Sequence, residues 1–297
     1  MTEKYRRTLL VTGASGHLGQ RVIELLLEAN AGHVIAATRT PEKLAHLAAR
    51  DVEVRKADFD DPSTLAAAFE DVDRLLLIST DVVDGTDRRQ VQHRNAVNAA
   101  VQARVKHVVY TSLTRPEPGS PIAIAPDHYA TEQALAASSL DWTVLRNNIY
   151  TDYLLQSLPR AVATGQLVVV AGEGKTGYVT REDCARAAAA ALAAHDSGRV
   201  TLDITGPAAI TQAELAQITS AVAGRPLAYM PVAAEAIVAG MVAAGLPQPL
   251  AEVYVTFGVG AADGTLDLAS SAVADLSGKA PQSVHDYLAA HREALLA

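Results

Sequence analysis

Thr12-Gly13-Ala14-Ser15-Gly16-His17-Leu18-Gly19 follows the apolar run Thr8-Leu9-Leu10-Val11 and opens a stretch of helical periodicity over residues 17–29. A buried strand, a glycine turn and a helix in that order form a seat for a pyrophosphate. The glycines let the backbone come close, and the first turn of the helix offers free N–H groups at the positive end of its dipole. A glycine triplet alone could close a turn that binds nothing. Here a second strand, residues 33–38, arrives where a βαβ unit needs it.

The spacing is G-x-x-G-x-x-G, which resembles the extended and atypical short-chain dehydrogenase/reductase superfamily. The second strand ends in Arg39 and Thr40, twenty residues beyond Gly19. An acidic residue there would hydrogen-bond the ribose 2′-hydroxyl of NAD and repel the extra phosphate of NADP. Arg39 is a planar cation suited to a phosphate, with Lys43 one turn further, so the expected cofactor is NADP(H).

Composition sets the class of partner. The chain has 297 residues, 49% of them apolar, and a net charge of -8. That balance suits small-molecule chemistry and argues against nonspecific binding to nucleic acid or an acidic membrane. A single cysteine, Cys184, allows no intramolecular disulfide and no cysteine metal cluster, and no metal site is expected. Residues 1–7 are polar and no apolar run reaches the length of a membrane span, so a cytoplasmic protein, monomer or homodimer, is expected.

Strands are read at 8–11, 33–38, 52–56, 74–79, 107–111 and 142–146, with helices at 17–29, 41–50, 62–69, 90–103 and 129–138 between them. This is the βα rhythm of a doubly wound α/β fold. The first domain is placed at 1–155 and a smaller substrate lobe at 156–297. In that lobe an alanine-rich helix at 181–194, capped by Thr180 with Asp183, is expected to pack back on the first sheet. Further helices are read at 152–163, 212–223, 233–244, 249–257 and 284–296, with short strands at 167–170 and 200–204. The loop 171–177 contains Gly174-Lys175-Thr176, but the spacing of its glycines does not fit a phosphate loop and it reads as a β-turn.

Strand ends carry the remaining candidates: Asp58-Phe59 beside the adenine, Ser79-Thr80 toward the middle of the cofactor, and Thr111-Ser112 beside the nicotinamide. With Gly13, Ser15, Gly16, His17, Leu18, Gly19 and Arg39 they make the expected cofactor site. Residues 114–127 hold four prolines and no periodicity, and read as a mobile loop over the site.

The combination TGASGHLG, a strand ending in Thr-Arg, YTSL, His-Tyr-Ala-Thr-Glu and LRNNIYTDY resembles the NmrA-like atypical short-chain reductases, within which it is most similar to type 2 NAD(P)H:quinone oxidoreductases and triphenylmethane reductases. The resemblance implies a Rossmann-like sheet, an NADP(H) cofactor and a nicotinamide end lined by Asn148 and Tyr150. Short-chain reductases place a Tyr-x-x-x-Lys pair on the helix after the fifth strand, the tyrosine as proton donor. Aligned on Glu132 and Leu135, those positions fall on Ile124 and His128. The usual donor is absent.

Hydride transfer to a quinone or a cationic dye needs little acid, because the acceptor is already electrophilic. His128 or Tyr150 could serve as a weak donor. The expected function is therefore NADPH-dependent reduction of a quinone-like or other conjugated acceptor, with His128, Asn148 and Tyr150 as catalytic candidates. Two alternatives stay open: a non-catalytic NADP(H)-sensing regulator, and an extended-type carbonyl reductase or epimerase.

Overall fold

A computed structural model describes residues 7–297. Most of the polar stretch read at 1–7 lies outside the described residues. The first part of the chain runs β1 (Thr8–Val11), α1 (His17–Glu28), β2 (His33–Thr38), a 3-10 segment (Pro41–Arg50), β3 (Glu53–Lys56), α2 (Pro62–Ala68), β4 (Arg74–Leu77), α3 (Arg88–Gln102), β5 (His107–Leu113), α4 (Ala125–Ala137) and β6 (Asp141–Asn147). A 3-10 turn (Thr151–Tyr153) leads into α5 (Leu154–Thr164). Then come β7 (Gln166–Val170), β8 (Lys175–Thr176), α6 (Arg181–Ala193), β9 (Arg199–Ile204), β10 (Ile210–Thr211), α7 (Gln212–Ala223) and β11 (Ala228–Val232). The helices α8 (Ala234–Ala243), α9 (Gln248–Ala262), α10 (Ala272–Ser277), α11 (Val284–Ala290) and α12 (Arg292–Leu296) end the chain.

Seven parallel strands form the main sheet in the order β3-β2-β1-β4-β5-β6-β9. Helices cover both faces, so its central strands are enclosed: every residue of β4 and β5 is buried, the polar Arg74, His107, Thr111 and Ser112 at their ends included. Alternation sends Leu9 and Val11 into the layer of α1 and α6, and Leu10 into the layer of α2 and α3. The strand order reverses between β1 and β4. In such a sheet the ligand crevice lies at that reversal, beyond the carboxyl ends of the strands.

The helix expected to pack back does so. In α6, Ala185, Ala187 and Ala188 are fully buried against the sheet, their small side chains permitting close approach. Arg74, at the start of β4, donates to the carbonyls of Ala191, Leu192 and Asp196 at 2.9–3.0 Å, satisfying the end of that helix.

Four expectations change. The strand read at 200–204 does not belong to the distal lobe but pairs with β6, so the chain returns to the first sheet after the expected boundary at 155. The helix read at 129–138 begins at Ala125, because Pro126 falls in its first turn, where a missing N–H costs nothing. The helix read at 41–50 is a 3-10 segment. The stretch 284–296 breaks at His291 into α11 and α12. A distal core of Leu154, Leu158, Tyr178, Leu215, Tyr287 and Leu288 holds the second lobe. No described helix is long and apolar enough to cross a membrane.

Candidate functional site

At the end of β1 the chain turns through Gly13 at φ +60°, a conformation that side-chain-bearing residues rarely adopt. The Gly16 amide closes the turn on the Gly13 carbonyl at 2.9 Å. A Cβ on Gly19 would stand 2.4 Å from that same carbonyl oxygen, so only glycine lets α1 start so close to the strand. The helix begins at Gly16 with no side-chain cap. The first-turn amides of α1 are thus left without a side-chain partner, beside exposed Gly13, Gly16 and His17, while Leu18 and Gly19 are buried.

Two hydroxyls fasten this turn to its neighbours. Thr12 Oγ1 donates to the Leu76 carbonyl and accepts from the Ile78 amide, each at 3.0 Å. Ser15 Oγ and Thr38 Oγ1 are 3.0 Å apart, joining the turn to the end of β2. Arg39 follows, exposed, with no hydrogen bond or ion pair among the described residues. Its charge, with the larger effect of the Arg88 hydrogen bond, helps to hold the Asp60 carboxyl below its usual range. A cradle that excludes a Cβ, an uncapped helix start and an unpaired guanidinium fit a phosphorylated dinucleotide.

The Asp58-Phe59 turn is held by Asp58 N–H to Thr64 Oγ1 and by Asn95 Nδ2 to the Phe59 carbonyl, both at 2.9 Å. The Phe59 ring belongs to the core, which leaves Asp58 as the part turned toward solvent.

The opposite end of the crevice brings Ser79 and Thr111 together: Thr111 Oγ1 accepts the Ser79 amide at 2.9 Å and lies 3.4 Å from Ser79 Oγ. The Thr80 amide donates to His93 Nε2 at 3.0 Å. His93 Nδ1 lies 2.9 Å from Thr131 Oγ1, so the ring is neutral with its proton on Nδ1. Burial, with the Arg89 charge, lowers its pKa to about 3. The helix-face histidine of α3 is a hydrogen-bonding post for the end of β4.

Four expected site residues are engaged in hydrogen bonds within the protein. Ser112 is on the face of β5 opposite Thr111 and donates to Glu132 Oε1 at 2.6 Å, where Glu132 also receives two bonds from Arg146. Asn148 is buried with both ends engaged, its Nδ2 on the Leu266 carbonyl at 3.1 Å and its Oδ1 taking the Ile149 amide at 2.8 Å. It staples the end of β6 to the distal segment.

His128 is buried, accepts from Arg89 Nη2 at Nε2 and gives its Nδ1 proton to Tyr110 Oη, both at 2.9 Å. Burial and the adjacent Arg89 cation push its pKa well below that of a free imidazole. It keeps no spare proton. Tyr150 Oη accepts from Asn147 Nδ2 at 3.2 Å, and burial raises its phenol pKa, making it a poor acid.

The loop expected to be mobile is tied down. Arg115 donates to the carbonyls of Gly264 and Asp267, Glu117 pairs with Arg146 at 2.6 Å, and the Ala123 amide donates to Thr256 Oγ1. Leu113, Ile122, Ala125, Ala261 and Leu266, with Phe257 and Ile149 against them, form an apolar cluster between the lobes. Sequence reasoning missed Arg89, which reads as one charge in the polar run Arg88-Arg89-Gln90 and is in fact buried.

A family model described as NAD(P)H-binding matches residues 13–195. Quinone oxidoreductase 2 of Escherichia coli (strain K12) is 38% identical over 260 residues, covering 87% of this chain and 89% of that protein. The crystal structure of the NADPH-dependent quinone oxidoreductase from Escherichia coli complexed with NADPH is 36% identical with a TM-score of 0.88, covering 95% of this chain and 98% of that one. The Citrobacter sp. triphenylmethane reductase complexed with NADP(H) is 35% identical with a TM-score of 0.87, covering 96% and 99%. With the glycine cradle, the uncapped start of α1 and the strand order about β1 and β4, these matches establish that the chain belongs to the NAD(P)H-binding, NmrA-like family of oxidoreductases.

Proposed function

We propose that the protein reduces a quinone-like or other conjugated, electrophilic acceptor with NADPH, without a side-chain proton donor of the Tyr-x-x-x-Lys kind. Gly13, Gly16 and Gly19 with the amides of the first turn of α1 would hold the pyrophosphate, and Arg39 the 2′-phosphate. When bound, the reduced nicotinamide supplies a hydride. Ser79 and Thr111 orient groups at that end, and the apolar cluster of Leu113, Ile122 and Phe257 keeps water from the acceptor side.

The observation that carries this reading is the fate of two positions at the start of α4, the capping residue Ile124 and His128. Ile124 has no proton to give, and the one on His128 is committed to Tyr110. A carbonyl reductase needs an acid there because an alkoxide is a strong base. A quinone does not, since its reduced oxygen is far less basic and takes its proton from water.

The test is steady-state NADPH oxidation against a panel of quinones, a cationic triphenylmethane dye and simple ketones. Turnover confined to the quinones and the dye supports the reading. Binding of NADPH with no oxidation across the panel would make the protein a dinucleotide sensor, and ketone turnover would point to a carbonyl reductase.

A further inference from the structure

Arg39 is not the only charge at its corner of the crevice. The Ala57 amide donates to the Thr38 carbonyl at 2.9 Å, so the turn that follows β3 lies beside the residue that follows β2. That turn carries three carboxylates. Asp58 Oδ1 accepts the Asp60 amide at 3.0 Å, and Asp61 Oδ1 caps α2 by accepting the Ser63 amide at 3.1 Å. Asp60 reaches α3 instead. Its two oxygens accept from Arg88 Nε and Nη2 at 3.1 and 2.5 Å, and Oδ2 also accepts from Gln92 Nε2 at 2.9 Å.

β2 and β1 lie between β3 and β4 in the sheet, a span of about 14 Å at the usual strand spacing. Arg88, in the first turn of α3, and Asp60 therefore join the two loops that flank the glycine turn and Arg39. Both side chains are open to solvent, Arg88 at 50% and Asp60 at 35% exposure. An exposed ion pair adds little to the stability of a fold. What this pair changes is the charge beside Arg39. Arg88 holds the Asp60 carboxyl below its usual range, Gln92 adds to this and the Arg39 charge contributes, so Arg39 and Asp60 are within electrostatic reach of each other. A carboxylate there would repel a 2′-phosphate and accept a bond from a free ribose 2′-hydroxyl. Here it is covered by a two-pronged guanidinium.

We propose that Arg88 masks the charge of Asp60, and that this pair sets how strongly the protein prefers NADP(H) to NAD(H). The proposal rests on Arg39 as the partner of the 2′-phosphate and adds a second determinant to it. With Arg88 in place, Arg39, Asp60 and Arg88 together carry one net positive charge and attract a phosphate. Without Arg88 the three positions carry none, the bare carboxylate repels the phosphate, and a ribose hydroxyl gains an acceptor. Arg88 acts through Asp60 and does not itself hold the phosphate.

The experiment measures dissociation constants by calorimetry for NADPH, NADH, adenosine 2′,5′-bisphosphate and adenosine 5′-monophosphate. It compares wild type, Arg88→Gln, Asp60→Asn, the double variant and Arg39→Gln. A unit charge about 6 Å from a dianion in water-like surroundings changes binding about tenfold. In Arg88→Gln the ratio of NADPH to NADH affinity falls about tenfold, with NADH affinity unchanged or higher, and the two adenosine fragments show the same fall. Adding Asp60→Asn restores the ratio to at least the wild-type value. At about 1 M salt, where the Debye length is about 3 Å, the fall shrinks to less than about threefold.

An unchanged ratio in Arg88→Gln overturns the proposal. A double variant as weak as Arg88→Gln assigns Arg88 to the phosphate itself, and equal losses of NADPH and NADH reduce the pair to a brace for the turn; either result also overturns it. Arg39→Gln separates the masking from the reading beneath it. If Arg39→Gln keeps the wild-type ratio, the 2′-phosphate lies elsewhere and both fall. If it lowers the ratio while Arg88→Gln does not, the masking alone fails.

Discussion

The two ends of the crevice are built in different ways. The β1–α1–β2 end is assembled from neighbours in sequence: the glycine turn, Ser15 against Thr38, and Arg39, all within one βαβ unit. The other end is assembled from segments far apart. Asn148 reaches Leu266, Arg115 reaches Gly264 and Asp267, and Ala123 reaches Thr256. The first end is rigid because its backbone has no alternative. The second depends on long-range staples, and a family can change acceptor by altering them while its cofactor cradle stays the same.

The sharpest way to break the first end is Gly19→Val. The new side chain meets backbone at Gly13 and Ala14, which cannot move aside. Overpacking of that kind costs about 3 kcal/mol or more, and we expect NADPH affinity to fall at least about a hundredfold, measured by fluorescence titration.

Arg39→Asp is a smaller and more selective break. It replaces an unpaired cation by an anion at the end of β2, and the ratio of NADPH to NADH affinity should fall about tenfold to a hundredfold. An unchanged ratio removes Arg39 from the phosphate site.

Asn148→Leu tests the second end. It removes the bond to the Leu266 carbonyl and takes the acceptor away from the Ile149 amide, at a cost of about 1–3 kcal/mol. Denaturant melts should show that loss. The acceptor KM should rise severalfold while NADPH affinity stays put; a fall in NADPH affinity as large as the rise in KM would erase the distinction between the two ends.

An effect confined to acid pH belongs to a residue outside both ends. His107, buried at the start of β5 against Thr143, has its pKa lowered to about 4 by burial, with the Arg74 charge adding to it. Its folded pKa lies below its unfolded value of 6.5. The unfolded chain therefore takes up the proton first as pH falls. The stabilisation is complete above about pH 6.5 and is lost between there and pH 4, about 3 kcal/mol in all at the lower limit. His107→Gln should flatten the acid limb of stability against pH without altering NADPH binding.

This contrast also explains what could be read from the sequence. The geometry of the β1–α1–β2 end was legible because a glycine turn and a strand end are local facts with a physical cause. The proposed lack of an acid at the start of α4 rests on the sequence at Ile124 and His128. The burial of Arg89 was not, since nothing in Arg88-Arg89-Gln90 distinguishes the solvated charge from the enclosed one; only the approach of α4 encloses it. Ser112 was read with Thr111 as one pair, although alternation along β5 turns their hydroxyls to opposite faces. The return of β9 to the sheet needed the tertiary fold, because its exposed Arg199, Val200 and Thr201 read as an edge of any lobe.

The central claim is hydride delivery from an NADPH cradle without an acid on α4. The most direct measurement is anaerobic stopped-flow mixing of the NADPH complex with a quinone, using NADPH and its hydride-position deuterated form. The account predicts a single-turnover loss of NADPH absorbance that is slower with the deuterated cofactor and is retained in Tyr129→Phe, which removes the one tyrosine of α4. An NADPH complex whose absorbance is unchanged by any quinone of the panel would contradict it.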